Sequence, residues 1–331
     1  LGGETLLIYI LEPELVNIAH YRGRHWQFIA QSLADMQSTL KSFGHPLEIV
    51  EGNALDVLAL VNEKLGIQTL LSYEETGLDV TFQRDLQVSR YCASMGIDWQ
   101  EFQTNGIQRK RKDRKGWNRS WHRVMTAECH EVELGALKTA NLSGHDQLET
   151  LRTSRLERWQ NQQSEMQVGG PTEAADVLDS FLSDRGWGYQ KFISKPEQSR
   201  THCSRLSPYL AWGNLSMREA YQALQRQEKR HGWTRAMSAF ESRLHWHCHF
   251  IQKFEMECRM EFEVIDKKID QILSENKSPI LCGGTGLYFK SLVEGIFSGS
   301  HTNEVIRKRL EQEYENDKDK LFKKLIEIDP I

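Results

Sequence analysis

The chain has 331 residues, a formal net charge of -4 at pH 7, 39% hydrophobic residues and 27% charged residues. This length allows two domains with a sizeable core, and the small net charge excludes attraction to nucleic acid by bulk charge alone. No apolar run approaches the ~20 residues that a membrane span needs, so we expect no membrane partner. The six cysteines have no CxxC spacing, which predicts reduced thiols and a cytoplasmic protein.

The N-terminal third alternates between strand and helix patterns. A continuous apolar run over residues 6–11 predicts a buried strand, and helical spacing follows over residues 24–43. Further strands are predicted at 47–50, 69–73 and 98–102, with helices at 54–65 and 79–95 between them. This alternation predicts an α/β region with a Rossmann-like parallel sheet. It contains no GxGxxG or GxxxxGK[ST] motif, so a phosphate-cradling loop is not expected there.

A basic stretch over residues 108–123 follows and includes Trp117 and Trp121. One interpretation is a nucleic-acid patch with interleaved aromatic side chains. The other is a solvated linker, which the position of the stretch at the end of the α/β pattern favours. Residues 139–176 are polar and predict an extended interdomain connection.

From residue 174 the pattern is mostly helical, and residues 234–260 predict the strongest helix. Its predicted apolar stripe consists of Met237, Phe240, Leu244, His247, Ile251, Phe254 and Cys258. His245 and His249 stand four residues apart on another face, but no third ligand has suitable spacing, so no metal site is predicted. Trp246 either fills the core or stacks on a planar ligand.

The segment over residues 204–216 reads SRLSPYLAWGNLS. On its residues alone, it is either the start of a capped helix, which is the commoner case, or a site for phosphate. The segment resembles the flavin-domain segment of the photolyase/cryptochrome flavoproteins. The resemblance extends to LLIYILEPEL at residues 6–15, FQRD at 82–85 and SRLHWHCHF at 242–250. It implies an antenna-type α/β domain followed by a partial helical FAD-binding-type domain, with the family's own start and later helices outside this sequence.

The resemblance also implies FAD as cofactor, an antenna chromophore of unknown identity, and DNA as a possible partner in light-driven repair or photoreception. Matching motif positions imply that the pyrophosphate is held by Cys203, Ser204, Arg205, Leu206 and Ser207. Tyr189 would lie at the flavin, and Trp246, with His245 and His249 nearby, would form the cavity wall. The thiol of Cys203 replaces the family's usual threonine and is a weaker hydrogen-bond donor.

No catalytic residue is assigned by this resemblance. In the family, the helices that complete the flavin cavity follow the segment matched by residues 242–250, and no counterpart follows Glu261 here. The sequence therefore predicts deoxyribodipyrimidine photo-lyase activity only if the flavin site is complete.

Residues 283–288 read GGTGLY and are similar to tRNA dimethylallyltransferases. The similarity continues through LVEG at 292–295, IRKRL at 306–310 and the Asp-Pro pair at 329–330. It implies prenyl transfer to a tRNA adenosine, with Thr285 near the substrate. The family's P-loop and catalytic aspartate precede this motif and have no counterpart here, so neither tRNA binding nor prenyl transfer is expected.

Composition changes near Glu261 as well, because the nine tryptophans all lie at or before Trp246. We therefore predict an α/β domain over 1–105, a linker over 106–173, a partial helical FAD-binding-type domain over 174–261, and a transferase-like fragment over 262–331. The predicted function is that of a photolyase/cryptochrome-like FAD-binding protein. The alternatives are a tRNA dimethylallyltransferase-related fragment and a non-catalytic fusion product.

Overall fold

The computed structural model describes residues 3–18, 21–130, 132–160, 166–228, 230–261, 272–275, 277 and 309. The chain divides into two compact units, Leu1–Glu261 and Phe262–Ile331. The GGTGLY motif and the other transferase-like motifs lie outside the described residues, apart from Arg309.

The N-terminal region alternates strands and helices as predicted. Its strands are β1 (Thr5–Leu6), β2 (Ile8–Leu11), β3 (Glu48–Glu51), β4 (Thr69–Tyr73) and β5 (Asp98–Phe102). Its helices are α1 (Pro13–Asn17), α2 (Gly23–Ser42), α3 (Ala54–Leu65) and α4 (Asp79–Met95). Local chemistry sets these limits: the Asn53 side chain accepts the Leu55 N–H at the start of α3, and Gly66, at φ 74°, ends it.

The strands associate in parallel, as predicted, but in three pairs. β2 pairs with β3, β4 pairs with β5, and β1 pairs with β6 (Thr139–Ala140). The predicted single strand over 6–11 is therefore divided at Leu7, because its two halves pair with different partners. Ile10 packs against both the Val50 cluster and the Val88 cluster, so the pairs share apolar contacts.

The stretch between the two predicted domains is folded. It contains α5 (Trp117–Thr126), a 3-10 turn (Leu134–Ala136), β6, α6 (Asp146–Glu149) and α7 (Arg155–Gln160). The Glu48 carboxylate accepts the Leu142 N–H at 3.1 Å and pairs with Arg152 at 2.9 Å. The extended course predicted for residues 139–176 is wrong, because this polar stretch packs Leu142 and Leu148 into the α/β core.

The remainder of the first unit is helical. It consists of α8 (Pro171–Ser180) with a π-helical turn (Phe181–Arg185), α9 (Tyr189–Phe192), α10 (Pro196–His202), α11 (Ser207–Ala211), α12 (Met217–Gln225), α13 (Thr234–Met256) and a 3-10 turn (Cys258–Glu261). The predicted order of α/β followed by mostly α is confirmed. None of the helices in the described ranges has the length and apolar character that crossing a bilayer requires.

The buried face of α13 differs from the predicted stripe. The buried residues are Ala236, Phe240, Leu244, Cys248 and Gln252, each four residues after the last, whereas Cys258 is exposed. Gln252 belongs to this face because its amide donates to the Gln108 carbonyl and accepts the Gln108 N–H, at 3.0 and 2.8 Å. A polar residue can thus be fully buried when a backbone partner satisfies both of its groups.

Candidate functional site

The predicted phosphate-binding residues form a tight turn between α10 and α11, which we call the 203–207 turn. Arg205 has a φ of 59°, an uncommon left-handed conformation for a residue other than glycine. Leu206 is buried beneath the turn. The Arg205 carbonyl accepts the Gln167 amide at 2.8 Å, and the Tyr209 hydroxyl donates to the Val168 carbonyl at 2.8 Å. Contacts from a distant segment therefore hold the turn in place.

Arg185 lies against the other side of this turn and was missed by the sequence analysis. From the π-helical turn, its guanidinium donates to the carbonyls of Cys203 and Ser204, the latter at 2.8 Å. It also donates to the Val177 carbonyl at 2.8 Å and to the Ser180 hydroxyl at 2.9 Å. No local pattern identifies this arginine, because its partners at the turn lie 18 and 19 residues further along the chain.

The turn carries positive charge. Neither Arg185 nor Arg205 forms an ion pair with a carboxylate of a described residue. Burial, and then Arg205, lower the pKa of Arg185, as expected for a desolvated cation near a like charge. Burial raises the pKa of the Cys203 thiol, and the two arginines oppose that shift. Cys203 is therefore a neutral thiol at neutral pH, and the two guanidinium charges remain available to an anion.

Tyr189 lies close to this charge and is buried among aromatic rings. Its ring meets Phe181 and Phe240 edge-on, with centroids 5.3 and 6.0 Å apart. Burial and the neighbouring Cys203 raise the pKa of Tyr189 to about 12, and Arg243 opposes this shift. The phenol is thus protonated at neutral pH and can act as a hydrogen-bond donor.

Trp246 and His249 have other neighbours. Trp246 is 48% exposed, with the Arg243 guanidinium 4.9 Å from its ring centroid and Phe250 beside it. His249 is half-buried and contacts Arg114, with 3.1 Å between Nη1 and Nε2. Burial, and then Arg114, lower its pKa. Since successive residues of an α-helix point about 100° apart, Trp246 lies on a different face of α13 from Leu244 and Cys248.

His245, one turn before His249 on α13, contacts the core tryptophans. Its ring is 4.8 Å from the Trp121 ring and 5.0 Å from the Trp117 ring, and its Nε2 is 3.2 Å from Asn118 Oδ1. The described residues contain no group of three or more His, Cys, Asp or Glu side chains arranged for a metal ion. His245 and His249 instead have hydrogen-bond and ring partners in the surrounding protein.

The stacking interpretation of the basic stretch is wrong for its two tryptophans. Trp117, Trp121 and Met125 form the buried face of α5, and Trp117 Nε1 donates to the Gly106 carbonyl at 2.9 Å. A Cβ on Gly106 would lie 2.0 Å from Trp121 Cδ1, so the close approach requires glycine. Both rings belong to the core, and neither can stack on a nucleic-acid base.

Comparison with known proteins identifies the two resemblances. A family model for DNA photolyases matches residues 1–116, and a model for IPP transferases matches residues 244–331. The second match begins inside α13, within the segment that resembles photolyases by sequence. The chain thus carries a photolyase-like region at its N-terminus and an IPP-transferase-like region at its C-terminus.

Solved structures define the fold more closely as that of photolyases and cryptochromes. A bacterial class III photolyase from Agrobacterium tumefaciens has a TM-score of 0.63 at 17% identity, over 88% of this chain and 60% of the other. A cryptochrome from Synechocystis has a TM-score of 0.63 at 16% identity, over 77% and 56%. An archaeal photolyase from Sulfolobus tokodaii, solved with two FAD molecules, has a TM-score of 0.58 at 18% identity, over 87% and 60%.

Curated relatives match the transferase-like part. The tRNA dimethylallyltransferase of Acetivibrio thermocellus is 49% identical over 70 residues, which are 20% of this chain and 22% of the relative. That of Thermodesulfovibrio yellowstonii is 36% identical over 69 residues, 21% and 22% of the two chains. The chain therefore spans about a fifth of the length of these relatives. Thr285, the residue predicted to lie near their substrate, is outside the described residues.

Proposed function

We propose that the first unit is an FAD-binding protein of the photolyase/cryptochrome type, with the diphosphate held at the 203–207 turn. The observation that carries this proposal is the positive charge of that turn, where Arg185 and Arg205 lack carboxylate partners among the described residues. A diphosphate is the complementary ligand, because charge-assisted hydrogen bonds to phosphate oxygens are among the stronger ones in proteins. The similar solved structures support FAD as the source of the diphosphate, since the Sulfolobus photolyase was solved with two FAD molecules.

The chain offers residues for both the diphosphate and the flavin of FAD. Cys203, Ser204, Arg205, Leu206 and Ser207 would hold the phosphates. At the flavin end, Tyr189 offers a protonated hydroxyl, and Trp246 and His249 would contribute to the outer wall. Six buried side-chain atoms have no hydrogen-bond partner among the described residues, and two of them, Gln190 Oε1 and His247 Nδ1, belong to residues adjacent in the chain to Tyr189 and Trp246. Such atoms are costly unless a ligand or water satisfies them.

FAD, when bound, would supply light absorption and one-electron chemistry. The chain's own task is to hold the diphosphate, order the adjacent helices and keep water from the flavin. DNA is the proposed partner, in repair or in photoreception, and the α/β region would be the antenna-type domain. We also propose domain boundaries after residues 105, 173 and 261, and a cytoplasmic location.

Purification of the full chain followed by titration with FAD tests the proposal. We expect a visible flavin absorption band that remains after gel filtration, and quenching of flavin fluorescence on binding. Ser204→Asp places a negative charge at the turn and should abolish binding. Ser183→Asp is the matched control, because Ser183 is an exposed serine of the π-helical turn. A full chain that retains no flavin and does not bind added FAD would refute the proposal.

A second candidate, which the missing P-loop did not lead us to expect, is a tRNA-binding function of residues 262–331, favoured by the 49% identity to a tRNA dimethylallyltransferase over 70 residues. Here we propose affinity for tRNA or dimethylallyl diphosphate rather than prenyl transfer. Filter binding with labelled tRNA, and calorimetry with dimethylallyl diphosphate, would measure it on the full chain. Thr285→Ala should weaken binding if this motif is responsible. No binding of either ligand at millimolar concentration would remove this candidate.

A further inference from the structure

Two backbone N–H groups of the 203–207 turn have no acceptor among the residues that the structure describes. The peptide joining Cys203 to Ser204 and the peptide joining Ser204 to Arg205 both direct their carbonyls to Arg185. Neither the Ser204 N–H nor the Arg205 N–H donates a hydrogen bond to any described residue. In a trans peptide the N–H points opposite to the C=O, and no peptide bond described here is cis. Both N–H groups therefore face away from Arg185.

This arrangement has the chemistry of an anion site. Successive N–H groups in a turn with a left-handed residue form a concave donor surface that binds phosphate, and Arg205 supplies that left-handed residue. Arg185 binds the negative ends of the same two peptides, which orients their positive ends together. Its own charge lies directly behind them. The side chains of the turn, which carry the sequence resemblance, are a separate set of groups.

We propose that Arg185 is the positioning residue of the 203–207 turn, and that it makes the Ser204 and Arg205 N–H groups into a site selective for a diphosphate. This inference rests on the proposed function, because it treats the diphosphate as that of FAD. It adds that affinity for the phosphates depends on a side chain outside the turn. The affinity for a flavin without phosphates should not depend on Arg185.

The contacts of Arg185 explain why a lysine would not replace it. Its planar guanidinium donates to three carbonyls and one hydroxyl at once, which a single ammonium cannot reproduce. Arg230 is the natural control. It donates to the carbonyls of Leu182 and Ser183 and so braces the same π-helical turn, but its hydrogen bonds do not reach residues 203–207.

The experiment compares Arg185→Gln, Arg185→Lys and Arg230→Gln in the full chain with three probes: inorganic pyrophosphate, FAD and riboflavin. In Arg185→Gln we expect pyrophosphate and FAD to bind at least about tenfold more weakly, a loss of about 1.4 kcal/mol, with riboflavin unchanged. Arg185→Lys should recover part of the loss because it retains the charge. Arg230→Gln should affect FAD and riboflavin to the same extent. Equal losses for FAD and riboflavin in Arg185→Gln, or no loss of pyrophosphate binding, would overturn the inference.

Hydrogen exchange and the pyrophosphate probe test the role of Arg185 even if its variants do not fold. Hydrogen exchange of the wild-type chain with pyrophosphate should slow the Ser204 and Arg205 amides, and no slowing there would overturn it even if both Arg185 variants failed to fold. The pyrophosphate probe also separates the two proposals. Binding of pyrophosphate but not FAD would refute the proposed FAD function and leave the role of Arg185 intact. FAD binding that is insensitive to Arg185→Gln would support the FAD function and refute the role of Arg185.

Discussion

The α/β region and the helical region of the first unit treat their charged groups in opposite ways. Every ion pair that joins two described residues of this unit lies between residues 12 and 155. Arg84 pairs with Glu12, Glu75 and Asp85 at 2.7 to 3.5 Å, and Arg109 pairs with Glu101 at 2.8 Å. Arg84 and Arg109 are thus neutralised by carboxylates within the first unit, as in a supporting scaffold.

In the helical region, three arginines are bound by uncharged groups. Arg185 donates to carbonyls, Arg230 lies 3.7 Å from the Trp233 ring centroid, and Arg243 lies 4.9 Å from that of Trp246. Carbonyls and ring faces hold a guanidinium without cancelling its charge. The comparison supports placing the proposed anion site in the helical region, and four predictions test the difference between the two regions.

The largest expected effect breaks the helical core. Phe240→Ala removes a ring that is 2% exposed and lies 4.7 Å from the Phe181 ring. A cavity of this kind costs about 3–5 kcal/mol of unfolding free energy, measured by urea denaturation. Phe250→Ala on the same helix is the control, because its ring is 57% exposed, and we expect a change within about 0.5 kcal/mol. Equal losses in the two variants would show that the buried face of α13 is assigned incorrectly.

The second effect breaks the internal neutralisation of the α/β region. Glu48→Gln leaves Arg152 without its carboxylate and weakens the bond to the Leu142 N–H. Since Arg152 is partly exposed and can turn to solvent, the expected loss is about 1–2 kcal/mol. Glu63→Gln, at an exposed pair with Lys64, should change stability by less than about 0.5 kcal/mol. Undiminished stability of Glu48→Gln would mean that residues 139–152 are not held through this carboxylate.

The third effect is acid sensitivity of the helical region. Burial is the largest cause that lowers the pKa of His245, His247 and His249, so the unfolded chain takes up protons first as the pH falls. These residues therefore contribute stability above the unfolded pKa, near 6.5, which is lost as the pH falls through their folded pKa values.

Denaturation of the full chain at pH 7.5 and pH 5.5 measures that loss, and His247→Gln should reduce its pH dependence. His130→Gln, at an exposed histidine outside the helical region, is the control and should retain the wild-type slope. An unaltered slope in His247→Gln would show that this ring is not desolvated.

The smallest effect concerns Cys203. Burial raises its thiol pKa, so the folded chain retains this proton to higher pH than the unfolded chain does. Its contribution to stability is therefore present below the unfolded pKa, near 8.5, and is lost as the pH rises through the folded pKa. The alkylation rate of Cys203, followed by peptide mapping, should rise at higher pH in the native chain than in urea. Coincident profiles would contradict the burial of this thiol.

Much of the α/β region could be predicted from the sequence. The helices at 54–65 and 79–95 and the strands at 69–73 and 98–102 coincide with those observed, because caps, periodicity and chain-reversing glycines are local signals. Which strands pair with each other could not be predicted from the sequence. The division of residues 6–11 depends on β6, which lies more than a hundred residues further along the chain.

The candidate site shows the same limit. Its motif identified the turn, and Tyr189 lies close to that turn. His249 instead contacts Arg114, and Trp246 contacts Arg243 and Phe250. Burial of Trp117 and Trp121 was equally hidden, since a basic stretch with tryptophans reads alike whether its rings face core or solvent. Only packing against Gly106 and α13 distinguishes the two.

The sequence by itself determined the order of strands and helices, the 203–207 turn and the two family resemblances, because each of these depends on residues close together in the chain. The tertiary structure decided the partners: Arg185 behind the turn, Gln108 on Gln252, and Glu48 on Leu142 and Arg152. The physical reason is that a hydrogen bond or a buried charge depends on which distant groups the fold brings within a few ångströms. A local pattern carries no record of that choice.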